Sequence, residues 1–410
     1  MSKKAIILGG GFSGCTIGYL LKEEGWDCTI VEKEDYLGGG CRTFFYGGHP
    51  YMNGPRVYYG YSDKIFNWVN KFIELKQLDF ELNSYVESEQ KFFSYPIHED
   101  DLPRMSKEAQ IREELAGRNL TKIHSNFEDY WIENVGKTLY EMFVKDYSEK
   151  MWMIDSNKEL DTFAWSAKDN PINTGSRIAY KGSYLAYPTA YDGYNSFFYK
   201  TTSALEVILG ETVKNFDLDN KAIILNDGTR LEGDIIVSSI PIEEVCENRL
   251  GNLPYAGRDF IPFMLPCKEV CPGNIRFLHY TQKEPYTRIV EYKKLTKYES
   301  PDTLLVMELP SKNGKMYPYM INKYLDRAKA YVESLPEDIY TTGRLGTYRY
   351  STIEQTIAQV FDVFSSITGK SIDGMENEFF QIGDKNIVKD RQSTDSNAAT
   401  VAEGAIKQTA

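Results

Sequence analysis

Three glycines are the first residues in this chain whose spacing could do chemistry. Gly9, Gly11 and Gly14 stand in GxGxxG spacing directly after the apolar run Ala5-Ile6-Ile7-Leu8 and before a helix-like stretch through Gly18, Leu20 and Leu21. A buried parallel strand, a glycine turn and a helix N-terminus in that order form a cradle for phosphate, because the first amides of the helix have no partner of their own. Gly9 permits the tight turn, Gly11 lets the backbone approach a pyrophosphate, and Gly14 lets helix and strand pack closely. A second strand, Cys28-Thr29-Ile30-Val31, ends at Glu32, where a carboxylate can accept hydrogen bonds from adenosine ribose hydroxyls. A dinucleotide is the expected ligand, and NAD and FAD proteins share this much.

The elements that must position these residues belong to a sizeable chain. It has 410 residues, 42% of them hydrophobic, enough for a large core and, by length, for two or three domains. No stretch approaches the ~20 apolar residues of a membrane span, and Ala5 to Leu8 runs at once into glycines rather than into a signal-peptide core, so a cytoplasmic location is expected. The formal charge of −12 argues against nucleic acid or an anionic membrane as a general partner. A negative partner needs a local pocket of arginines and lysines. Cys15, Cys28, Cys41, Cys246, Cys267 and Cys271 lack the paired spacing of a zinc site, so reduced cysteines in packing roles and no metal are expected. The 30 Tyr, 21 Phe and 5 Trp suit either a wet aromatic surface or a cleft that stacks bases and hydrogen-bonds phosphates.

Residues near 100 to 180 read as helical. Ser125 through Val144 carries Phe127, Trp131, Val135, Leu139 and Phe143 at near-helical spacing, with Ser125 and Glu128 as a capping box. Arg276 to Tyr280, Thr287 to Tyr292 and Thr303 to Leu309 alternate as strands do. Asp384 to Ala410 is polar, lacks periodicity and reads as a peripheral or disordered end.

Gly38-Gly39, soon after Glu32, resembles the extended fingerprint of FAD proteins of the glutathione reductase type, which makes FAD the favoured cofactor. Asn126-Phe127-Glu128, Gly136, Leu139-Tyr140, Phe143 and the run Tyr147-Ser148-Glu149-Lys150-Met151-Trp152 resemble the helical segment of UDP-galactopyranose mutases. The same resemblance continues in order through Tyr95-Pro96-Ile97, Tyr184 to Pro188, Asp192-Gly193-Tyr194, Thr287 to Lys293, Glu308-Leu309-Pro310, Tyr317-Pro318 and Gly343 to Tyr350.

The resemblance implies an α/β fold: a Rossmann-like FAD-binding domain with an inserted helical domain and a twisted antiparallel sheet. On that plan residues 1–80, 190–240 and 315–383 form the discontinuous FAD domain, and 100–180 the helical domain. Residues 81–99, 181–189 and 241–314 form the sheet domain, and 384–410 a polar tail. It also implies a flavin-dependent mutase that interconverts pyranose and furanose forms of a nucleotide-diphosphate sugar, with N5 of reduced FAD as nucleophile on the anomeric carbon. Two other functions stay open: an FAD-dependent oxidoreductase of the amine-oxidase-like superfamily, and a non-catalytic flavoprotein that binds nucleotide sugars. A homodimer is also left open.

By the same resemblance Arg288 is the first choice for the pyrophosphate, since guanidinium matches phosphate oxygens bidentately. The alternative for it is a surface salt bridge with Glu291, although strand alternation puts the two on opposite faces. Tyr317 and Tyr350 match tyrosines that hydrogen-bond the diphosphate. Phe143 and Tyr147 would flank the nucleotide base and Trp152 would line the sugar cleft, or the three would form an aromatic core seam. Arg344 resembles a flavin-side arginine, and a capping box from Ser351 to Glu354 would start a helix that aims amides, Thr352 among them, at the flavin or its pyrophosphate.

Two departures stand out. The family's Gly-Pro-His, aromatic, His string is here Gly54-Pro55-Arg56-Val57-Tyr58-Tyr59, so a permanent charge at Arg56 replaces a titratable ring. The segment that supplies a mobile second diphosphate arginine is also lost around Ala167-Lys168-Asp169-Asn170, leaving Lys168 or Arg177 as stand-ins.

Overall fold

The computed structural model describes residues 2–79, 81–119, 124–160, 172–179 and 183–372. The polar end at 384–410 lies outside the described residues, and so does Lys168.

The chain opens with strand β1 (Lys4–Leu8), helix α1 (Phe12–Glu23) and strand β2 (Asp27–Glu32). β1 and β2 pair in parallel, and the sheet extends through Glu206–Leu209 beside β2 and through Ile235–Ser238 and Ile339–Thr341 beside β1. All five strands are parallel, as a doubly wound sheet requires. Ile7 and Ile30 are fully buried because helices cover that face: α1 packs against both Asn195–Thr202 and Ile353–Thr368. Gly14 shows how closely helix and strand approach. A Cβ built there would lie 1.9 Å from the Gly9 carbonyl oxygen.

The second layer is a seven-stranded, mainly antiparallel sheet. Its order is Tyr317–Pro318, Tyr255–Leu265, Thr303–Ser311, Arg288–Glu291, Ile275–Tyr280, Glu81–Val86, Lys91–Tyr95. Tyr184–Pro188 lies outside that sheet; it pairs instead with Tyr58–Gly60 and Leu75–Gln77. The helices Glu108–Ala116, Phe127–Phe143 and Lys145–Trp152 have a core of their own, built on Trp131, Leu139, Phe143 and Trp152 with Phe93 and Ile97 of the adjoining strands.

Two helix starts differ from expectation. The Phe127–Phe143 helix is capped by Asn126, whose side chain accepts from the Asp129 amide at 2.9 Å, and not by Ser125. Asparagine reaches the amide three residues on as readily as serine does. The helix kinks at Gly136, where φ is +82°, a conformation that glycine alone adopts without strain. The Ile353–Thr368 helix does carry a capping box, shifted by one residue to Thr352 and Gln355. Glu354 is thereby freed to accept from the Tyr58 hydroxyl at 2.8 Å and from the amides of Tyr61 and Ser62.

Candidate active site

One cavity of about 1680 Å³ runs from the glycine turn after β1, between the parallel and antiparallel sheets, to the helical layer. A site for one ligand usually occupies about 300–1,000 Å³. This one has room for two molecules end to end.

At its first end the walls are backbone. Gly9, Gly11, Gly38 and Gly39 line it, and the two glycine segments dock on each other through a hydrogen bond from the Gly38 amide to the Gly10 carbonyl, 2.8 Å. A Cβ on Gly11 would meet nothing within 4 Å, so this backbone faces open space. The N-cap of α1 is Gly11 itself and offers no side chain to the first amides of the helix. Those amides remain available to a phosphate. Glu32 is buried; one oxygen accepts from the Gly10 amide at 2.7 Å and the other from Glu34 at 3.0 Å. Glu32 thus braces the glycine turn and lines the cavity beside it. These features fit a dinucleotide such as FAD: an uncapped helix terminus, a glycine surface without side chains and a carboxylate at the end of the second strand.

The middle of the cavity is built from side chains brought together from distant segments. Tyr317 and Tyr350 stack with ring centres 5.7 Å apart and planes at 12°. Three guanidinium groups surround the Tyr317 ring: Arg258 at 4.9 Å, Arg344 at 5.3 Å and Arg56 at 5.8 Å. Arg56 also points Nη1 at the Tyr317 hydroxyl, 3.4 Å away, and donates from Nε to the Gly40 carbonyl. Arg344 lies over Tyr350 at 4.6 Å and donates to the carbonyls of Met316 and Ser351. Burial works to raise the Tyr317 pKa, but Arg56, Arg288 and Arg258 together outweigh it and bring the hydroxyl down to about 8. Tyr350 goes the other way, pushed up by burial that Arg344 only partly offsets.

The floor of the cavity is one row of side chains across the antiparallel sheet. Phe260 pairs in register with Glu308, Glu308 with Arg288, Arg288 with His279 and His279 with Ser84. Residues paired in this way share a face. The Arg288 Nε lies 2.8 Å from Glu308 Oε2, so its partner is Glu308 and not Glu291. Glu291 points to the opposite face and accepts from Thr303 and from the amides of Val270 and Cys271. Glu308 is almost fully buried while Arg288 lines the cavity.

At the far end the helical layer contributes Phe127, Trp131, Phe143 and Tyr147. The Tyr147 ring is 5.6 Å from His279, and burial raises its hydroxyl to about 12 although Arg288 opposes. Burial, reinforced by Arg288, pushes the His279 imidazole down to about 3, so it is neutral in ordinary buffers.

The structure gathers Arg56, Arg288, Tyr317, Tyr350, Phe143, Tyr147, Gly9, Gly11, Glu32, Gly38, Gly39, Arg344 and Thr352 around this cavity. Gly14 acts behind the wall, at the contact of α1 with the turn. Two expectations are corrected. Trp152 is fully buried, and it backs Tyr317 and Tyr319 edge-on rather than lining the cleft. Arg177 is tied to Ser94 and to the buried Asp101, at 3.0 Å, away from the lining. An ion pair with a buried carboxylate holds it where it is.

Three residues at the site had no role from sequence. Arg258 stands between Gly257 and Asp259 inside an eleven-residue strand and is buried. His279 shares its strand face with Phe277, and that alternation is the signal that could have found it. Glu308 was visible only as part of a matching run; its cross-strand position opposite Arg288 needed the register.

A family model described as UDP-galactopyranose mutase matches residues 142–350, just over half of the chain, and one described as an NAD(P)-binding Rossmann-like domain matches residues 7–72. The dTDP-fucopyranose mutase of Escherichia coli is 26% identical over 385 residues, covering 88% of this chain and 97% of that protein. A probable UDP-galactopyranose mutase of Klebsiella pneumoniae is 25% identical over 379 residues, covering 87% and 93%. Among solved structures, that of a reduced UDP-galactopyranose mutase superposes with a TM-score of 0.75 at 16% identity, covering 90% of this chain and 94% of that one. At that identity the superposition speaks for the fold.

Proposed function

The chain belongs to the UDP-galactopyranose mutase family, and we propose that it interconverts the pyranose and furanose forms of a sugar carried on a nucleoside diphosphate, with FAD in its reduced state. The observation that carries this reading is the cluster of Arg56, Arg258, Arg288 and Arg344 around Tyr317 and Tyr350, midway between a dinucleotide cradle and an aromatic end. Four guanidinium groups inside a chain of net charge −12 make a local pocket for an anion, and guanidinium and phenol both suit phosphate oxygens.

Gly9, Gly11, Gly38, Gly39 and the first amides of α1 would hold FAD, which when bound and reduced would supply an electron pair towards the anomeric carbon. The residues of this chain do the rest. Arg288 and Arg258 hold the diphosphate and stabilise the negative charge it gains on leaving. The Tyr317 hydroxyl, held near neutrality by its arginines, hydrogen-bonds the same oxygens. Tyr147 and Phe143 flank the base. Arg344 and Arg56 face the cofactor side, and the buried aromatic walls exclude water while the sugar is detached.

The test uses FAD-loaded protein reduced with dithionite and then freed of reductant, incubated with UDP- and dTDP-linked hexoses. Furanose and pyranose products are resolved by chromatography. Many turnovers per reducing equivalent are expected, and none with oxidised protein. One equivalent consumed per product, or equal activity in the oxidised state, would replace the mutase with an oxidoreductase.

A further inference from the structure

Lys150 lies in the Tyr147 to Trp152 run but does not line the cavity. Its side chain is mostly buried and its ammonium group donates to four backbone carbonyls: Tyr280 at 2.8 Å, Gln282 at 3.0 Å, Glu284 at 2.8 Å and Tyr286 at 3.0 Å. These carbonyls belong to alternate residues of one turn and converge on one point. An ammonium has three protons, so four acceptors at these distances share them. Burial brings this ammonium down to about 8 although the Glu284 carboxylate at 4.0 Å opposes, so at pH 7 it still carries the charge and protons that the four carbonyls accept.

The turn it closes has a special position. The Tyr280 amide donates to the Thr287 carbonyl at 2.9 Å, and the next pair inward is His279 opposite Arg288. The hairpin held by Lys150 therefore carries both cavity-facing residues at its base. Three residues earlier on the same helix, and so on the same side, Tyr147 meets the His279 ring. Helix and hairpin are joined at two points one turn apart, one of them a ring contact and the other a bound cation.

We propose that Lys150 is a positioning residue for nucleotide-sugar binding: its ammonium replaces a bound cation at the centre of the 280–286 turn and so holds Arg288 and His279 against the helix that carries Tyr147. Without it, four carbonyl dipoles face each other across a void, the turn opens, and Arg288 loses its place in the cavity. The inference rests on the reading that Arg288 holds the diphosphate.

Lys293 provides the comparison. It makes the same kind of contact, donating to the carbonyls of Lys268, Ser300 and Asp302, at the other end of the Arg288 strand and away from the cavity. Titration calorimetry of the FAD-loaded protein with UDP and dTDP compares wild type with Lys150→Met, Lys150→Ala, Lys150→Gln, Lys293→Met and Arg288→Ala. The Lys150→Met and Lys150→Ala variants are expected to raise Kd at least tenfold with flavin content unchanged, and Lys293→Met to leave it within twofold. Adding n-propylammonium to Lys150→Ala is expected to recover most of the affinity, whereas tetramethylammonium, which has no N–H to donate, recovers none. Lys150→Gln keeps two donors and is read if the apolar variants do not fold; a rise of at least threefold is expected. Wild-type affinity in any folded Lys150 variant, or an equal loss in Lys293→Met, overturns the inference. Wild-type affinity in Arg288→Ala removes the diphosphate reading instead, and a loss there beside normal Lys150 variants removes only the strut.

Discussion

The two ends of the cavity would offer an anion different surfaces. The first end comes from two nearby segments of the first βαβ unit and is made of backbone: glycines 9, 11, 38 and 39 and the start of α1. The second, which runs from the middle of the cavity to its far end, is made of side chains from six segments, with Arg56, Tyr147, Arg258, Arg288, Tyr317 and Arg344 brought together by the fold. Backbone amides are lost to no substitution but proline, yet any side chain can block them. Arginines cannot be blocked by a neighbour's Cβ but can be removed one at a time. The first end should therefore fail by steric insertion, all or none, and the second by graded loss of affinity.

The largest expected effect separates two glycines of one motif. A Cβ at Gly14 would lie 1.9 Å from a backbone oxygen, so Gly14→Val should cost about 3 kcal/mol or more and leave little folded protein. A Cβ at Gly11, by contrast, would meet nothing within 4 Å, so Gly11→Val should fold. Its melting temperature without cofactor should match wild type, while the purified protein should be colourless because the added side chain fills the phosphate approach. Thermal denaturation and flavin absorbance measure the two properties separately. A yellow, stoichiometrically loaded Gly11→Val protein would place the pyrophosphate elsewhere.

At the second end, Arg288→Ala should lower UDP or dTDP affinity by about 2 kcal/mol or more without changing flavin content. It also strands Glu308, which is 1% exposed, and breaking a buried pair from one side costs about 3–5 kcal/mol of stability. Adding Glu308→Gln to Arg288→Ala should return most of the stability and none of the affinity. If the double variant recovers both, the arginine acts only through the carboxylate.

This contrast also explains what could be read beforehand. The cradle was legible because its residues are neighbours in sequence and each glycine answers a local geometric need. The family plan and Arg288, Tyr317, Tyr350 and Arg344 were legible through resemblance. Arg258 was not: its segment was placed in the sheet domain, but which residue of a strand faces the cavity depends on register. Arg177 and Trp152 carried suitable chemistry at suitable spacing, but a buried aspartate holds one and the other is packed behind Tyr317 and Tyr319. Spacing places a side chain on a face; only packing decides what lies opposite.

A smaller effect would show the arginine cluster acting as a unit. Tyr317, brought down from 10.0 to about 8, loses its proton in the folded chain before it would in the unfolded one. Its ionisation therefore adds stability that is fully present above the unfolded value and is lost as pH falls through about 8. The stability difference between wild type and Tyr317→Phe should widen in favour of wild type from pH 8 to pH 10. Saturating UDP should shift that window upward, since a bound diphosphate takes up the same positive charge. A flat difference would mean that the guanidinium groups do not act on this hydroxyl.

The smallest expected effect lies at the seam between the two ends, at Thr352. Its hydroxyl accepts from the Gln355 amide at 3.2 Å, and the Gln355 side chain accepts from the Thr352 amide at 3.0 Å. The side chain is thus engaged in starting the Ile353–Thr368 helix, although the residue also lines the cavity. Two contributions can be separated here. Removing an N-cap hydroxyl costs about 1 kcal/mol, and Thr352→Ala should lose that much stability with or without flavin. Thr352→Ser keeps the cap and should lose almost none. If instead the hydroxyl served the cofactor directly, Thr352→Ala would weaken flavin retention while leaving the flavin-free protein as stable as wild type. Urea denaturation of both forms distinguishes the outcomes. Equal losses in the two forms are expected, because the amides at this helix start, not the threonine oxygen, are what the backbone offers to the cavity.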